Sequence, residues 1–136
     1  MFDEFSIQIQ NEFDESHAKT LIGLWKKYEK KASNIHWGRT RVAFIINNIV
    51  VKLPLYSDGC IDNDHEGSFF CDEYANTKLT YCNDIPILFM EYVKHANFDA
   101  IKDEFGNIPD WVYSIDCGQV GFNRKGKLVA YDYGVC

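Results

Sequence analysis

Residues 15 to 32 carry their apolar side chains Leu21, Leu24, Trp25 and Tyr28 three and four positions apart, the pattern of a helix with one buried stripe. Asp14 or Ser16 is placed to cap its start, and Lys26, Lys27, Lys30 and Lys31 crowd its end, as the helix dipole prefers. Ahead of it, "MFDEFSIQIQNEF" alternates through Phe5, Ile7 and Ile9, which predicts a short strand or extended arm. "RVAFIINNIVVKL" sets two β-branched runs around Asn47 and Asn48, and asparagine tolerates the positive φ of a hairpin turn. In "PLYSDGCIDNDHEGSFFCDEYANT" the proline and glycine punctuation gives way to Asp62 or Asn63 as a cap, which predicts a helix over residues 63 to 75. "KLTYC" and "IPILFMEYV" read as strands, the second apolar enough to be central. Asn97 caps a short helix whose Phe98, Ile101 and Phe105 share a face before Gly106 stops it. "QVGFNRKGKLVAYDYG" reads as two strands about a turn at Arg124 to Gly126.

These elements predict an α+β fold: a twisted antiparallel sheet of about five strands plus a C-terminal β-hairpin, with two main helices and one short one. With 136 residues and no linker or repeat, the expectation is one domain over residues 1–136 with an N-terminal strand and helix extension. A content of 46% hydrophobic residues supplies a core. The net charge of −6 disfavours direct contact with nucleic acid. Five cysteines without a C-x-x-C pair, and acids near the N-terminus where an export signal would be basic and then apolar, predict a cytoplasmic protein with buried thiols. Cys60, Cys71 and Cys82 lack the close pairing of zinc ligands, and "DGCIDNDHE" lacks the full ligand series of a calcium loop. No run is long enough to span a membrane.

The order hairpin, helix, two strands, short helix, hairpin, with its punctuating residues, resembles the ATP lobe and catalytic hairpin of protein kinases over about residues 35 to 134. The resemblance implies that Lys52 in "IVVKL" pairs the phosphates and that Glu66 on the following helix faces and neutralises it. It implies a hinge at Glu91, Tyr92 and Val93 that offers backbone groups to an adenine. Asp132 in "YDYG" matches the magnesium-binding aspartate, and Gln119 stands where the family keeps a metal-binding asparagine.

The family's base position falls on Ser114, which cannot accept a proton as a carboxylate does, and Asp116 would serve only if the loop were re-registered. The glycine-rich loop is reduced to Gly38 in "NIHWGRTRVAF", and the chain stops at Cys136, before the activation segment and helical lobe of the family. The expectation is therefore a noncatalytic kinase-like binding module, similar to small kinase-like proteins of bacterial viruses, that needs no cofactor and engages or inhibits a host protein. A basic or nucleic-acid-handling partner would suit its charge. The alternative is a minimal phosphotransferase that binds ATP and Mg through Lys52, Glu66 and Asp132.

Overall fold

The computed structural model describes residues 1–68, 71–115 and 118–131. Two helices open the chain, α1 (Phe2–Glu12) and α2 (Glu15–Glu29), with Asp14 accepting from the His17 amide at 2.8 Å to cap the second. Strands β1 (Asn34–Trp37), β2 (Arg41–Ile46) and β3 (Ile49–Pro54) follow, then α3 (Ser57–Ser68), β4 (Thr77–Cys82) and β5 (Ile85–Glu91). They form an antiparallel sheet in the order β1-β2-β3-β5-β4. The predicted hairpin is present, with Asn47 at φ 55°. β5 lies inside the sheet, as its apolar run on both faces requires.

Strand alternation divides the buried residues. Val42, Phe44, Val51, Leu53, Ile85 and Ile87 face α1 and α2, where Trp25 stacks on Phe5 at 4.5 Å and meets the edge of Phe44 at 4.9 Å. The opposite face carries Arg41, Ala43, Val50 and Lys52 and is covered by α3 and a second small sheet. That sheet joins β6 (Lys94–His95), β7 (Val120–Phe122) and β8 (Leu128–Ala130), with α4 (Phe98–Phe105) and a 3₁₀ turn (Asp110–Ser114) between its first two strands. Its own core gathers Ala96, Ile101, Val112, Val120, Leu128 and Ala130. The short helix has its expected ends: Asn97 accepts from the Ala100 amide at 2.8 Å, and Gly106 takes φ 79°. Gly126 likewise takes φ 79° in the β7–β8 turn.

Two expected elements are corrected. Residues 2–12 form a helix and not a strand, because the helix stacks Phe5 on Trp25, buries Ile9 in the same core and leaves Ile7 63% exposed, whereas a strand would force all three onto one face. The fold thus has three main helices. The helix expected over 63 to 75 is α3, Ser57–Ser68, and residues 71 to 75 run as a turn and then a bridge from Tyr74 to Ala130. Asp62 and Asn63 lie in its interior, held by tertiary hydrogen bonds described below. Of the thiols expected to be buried, Cys60 and Cys82 are half-buried and Cys71 is exposed, while Cys117 and Cys136 lie outside the described residues. Cys60 on α3 and Cys82 at the end of edge strand β4 are only partly covered, and Cys71 stands in the connection after α3.

Candidate functional site

The hairpin register sets the site. Ala43 pairs with Lys52 and Arg41 with Pro54 across β2 and β3, so Arg41 and Lys52 project from the same face one step apart. α3 crosses that face and brings Glu66 to both. Arg41 Nη1 donates to Glu66 Oε2 at 2.7 Å and its Nη2 to Oε1 at 2.8 Å, a bidentate pair. Lys52 Nζ donates to Glu66 Oε2 at 3.3 Å. All three are buried, with Glu66 1% exposed. The expected facing of Lys52 and Glu66 is present. Burial raises the Glu66 pKa, but hydrogen bonds and charge from Arg41 and Lys52 outweigh it and hold the carboxyl at about 2.

Asn63 completes the cluster. The β3–β5 ladder ends at Lys52 and Leu88, and the next pair on that face would set Pro54 against Pro86, neither of which has an amide hydrogen. The Asn63 Nδ2 donates to the carbonyls of Lys52 at 3.0 Å and Pro86 at 2.9 Å, while its Oδ1 accepts from Arg41 at 3.2 Å. Its side chain thus takes over where the strands stop. Asn63→Leu is expected to cost about 2 kcal/mol, because both carbonyls would stay buried without that donor. A urea midpoint unchanged from the parent protein would show the amide to be dispensable.

A cavity of about 410 Å³ lies between the β1–β2 turn and α3, with Arg41 and Lys52 in its lining. Trp37 and Arg39 reach it from the turn, and Asp58 and Asp62 from the helix. Thr40 donates to Asp62 Oδ2 at 2.6 Å, tying turn to helix.

The other expected site residues are dispersed. At the hinge, the Glu91 amide donates to Asn76 O and the Tyr92 amide to Asn48 O, while Val93 is buried against Val50, Met90 and Val129. Glu91 Oε2 accepts from the Asn76 amide at 2.6 Å. Ser114 is exposed, and its hydroxyl donates to Trp111 O at 2.7 Å. The Gln119 Oε1 is buried without a hydrogen-bond partner among the described residues. Asp116 and Asp132 lie outside the described residues. Among the described residues, no group of three His, Cys, Asp or Glu side chains converges on a metal position, and no helix is long and apolar enough to cross a membrane. Cys60, half-buried, is pushed up to about 11 by burial and then by Asp64.

The kinase resemblance supplied Lys52 and Glu66 but neither Arg41 nor Asn63. The signal for Arg41 was present in the sequence. Once Asn47 and Asn48 form the turn, strand parity puts Arg41 on the Lys52 face. No protein-family model matches the chain, and a search of curated proteins finds no match.

Proposed function

We propose that the protein is a noncatalytic binding module on a kinase-like scaffold, which acts by engaging a protein partner. In the setting implied by its likeness to small kinase-like proteins of bacterial viruses, that partner is a host protein. The observation that carries the reading is the Arg41–Glu66–Lys52 network. A phosphotransferase of this type uses its glutamate to hold one lysine toward the phosphates. Here both Glu66 oxygens are bonded to Arg41, and Lys52 shares what remains in a buried cluster. Three further features support the reading. Asp58 and Asp62 stand in the cavity wall and offset much of the positive charge that Arg39, Arg41 and Lys52 would offer a polyphosphate. In the strip expected to present an adenine, the Glu91 and Tyr92 amides are taken by Asn76 O and Asn48 O, and Val93 is packed against Val50, Met90 and Val129. Ser114 offers a hydroxyl where proton abstraction needs a base.

A minimal ATP- and Mg-binding enzyme is the second reading, favoured by the cavity that reaches Lys52 and by the buried Gln119 Oε1, which has no hydrogen-bond partner among the described residues. In that reading Lys52 would hold the phosphates, with Gln119 and Asp132 holding the metal. Thermal unfolding with and without millimolar ATP and magnesium separates the two. The expected result is no shift in Tm and no phosphate transfer to itself or to generic proteins. A ligand at about a hundredfold over its Kd would add about 2.7 kcal/mol and raise Tm by several degrees, and that outcome would replace the binding module with the enzyme.

A further inference from the structure

We propose that the face formed by the start of α4, the 3₁₀ turn and the strand entry at Gly118 is the surface on which a protein partner docks, and that the partner presents a lysine or arginine beside an apolar side chain. The proposal rests on the binding-module reading and adds a place and a chemistry to it.

Ile101, fully buried, anchors α4, while Phe98 remains 45% exposed. Tyr113, 62% exposed, meets Phe98 edge to face at 5.4 Å between ring centroids. The helix beneath is fixed at both ends by the Asn97 cap and Gly106. Two aromatic rings are thus held in place with much of their surface in water. Such rigid, amphipathic side chains lose little freedom on binding and are the usual anchors of protein interfaces.

An open cavity of about 380 Å³ adjoins Phe98, lined also by His95, Asn97, Asp99 and Gly118. Among its described lining residues Asp99 carries the one formal charge, and no lysine or arginine contributes. Asp103 follows on the next turn of α4, and Asp110 opens the 3₁₀ turn that bears Tyr113. Neither they nor Lys102, which follows Phe98 by one turn of α4, line the cavity, so the charge at the cavity itself is that of Asp99. Aromatic surface beside carboxylates complements an apolar residue flanked by a cation, and the chain's net charge of −6 steers such a segment inward.

The test uses the full chain and two fluorescein-labelled synthetic peptides, one alternating leucine with arginine and one alternating leucine with glutamate, read by fluorescence anisotropy. The leucine–arginine peptide is expected to bind at least about tenfold more tightly, and Phe98→Ala and Asp99→Asn each to weaken it by about fivefold or more. Tyr81→Ser, at an exposed tyrosine of β4, should leave binding unchanged. Should Phe98→Ala fail to fold, Asp99→Asn, at an exposed position, decides. No binding of the leucine–arginine peptide, equal binding of both, or indifference to the two variants overturns the proposal. So does a dimer in sedimentation that Phe98→Ala abolishes, which would give the face to a second copy. An ATP-dependent rise in Tm together with the expected peptide result would sink the noncatalytic reading and leave this face assigned.

Discussion

Glu66→Gln is expected to cost the fold about 3–5 kcal/mol and to lower Tm on the order of 10 °C. The substitution keeps shape and removes one charge. In the parent protein one carboxylate serves two cations, all three groups buried. With glutamine in its place Arg41 and Lys52 lose the negative charge that balances them both, and Arg41 loses one arm of its bidentate pair. Lys52→Met should cost much less, since it leaves the bidentate Arg41–Glu66 pair intact. In the combined Glu66→Gln, Lys52→Met protein one of the two cations that Glu66 balances is gone, so the pair should be less destabilising than the sum of the single changes. Equal and additive losses would show that the three side chains do not act as one network.

The same network sets an acid limit. The folded Glu66 pKa of about 2 lies below its ordinary 4.5, so the unfolded chain takes up the proton first as pH falls. Its contribution is therefore fully present above about pH 4.5 and is lost as pH drops towards 2. Glu66→Gln has no such group. The stability gap between parent and variant should narrow over this window and stay constant above it, which urea midpoints at a series of pH values would read.

What was legible in the sequence was what local chemistry decides. The α2 stripe, the Asn47 turn, the Asn97 and Gly106 ends of α4 and the Gly126 turn all stand where caps, turns and periodicity put them. α1 was missed because Phe5, Ile7 and Ile9 fit a strand period, and the stack on Trp25, distant in sequence, is what favours the helix. α3 was misplaced for a different reason. Its buried residues are Gly59, Asn63 and Glu66, so no apolar stripe marks it, and its glycines read as breakers. Lys52 and Glu66 were found through a family likeness, whereas Arg41 needed the strand register to be carried back two residues. The polar cluster is thus least visible where its partners come from separate elements.

That glycine face carries the last expected result: Gly→Ala should have opposite signs in two helices of this protein. At Gly23 in α2 an added Cβ meets nothing within 4 Å, so Gly23→Ala should stabilise by about 0.5–1 kcal/mol through helix propensity alone. At Gly59 the added Cβ would press well inside contact on the Thr40 carbonyl and come 2.9 Å from Pro54 Cα, both backbone atoms. Thr40 O also accepts the Leu55 amide at 2.9 Å, so it is fixed by the chain it would have to push. α3 must then lift from the sheet. Gly59 and Asn63 lie four residues apart on the face that seats the helix, and Glu66 lies one turn further, so the shift would stretch the Asn63 bonds and the contacts to Arg41 and Lys52 together. Gly59→Ala should therefore cost about 3 kcal/mol, and the acid window of Glu66 should shrink with it. If Gly59→Ala instead raised the urea midpoint as Gly23→Ala does, α3 would not be seated by close backbone approach, and the placement of Glu66 would need another cause.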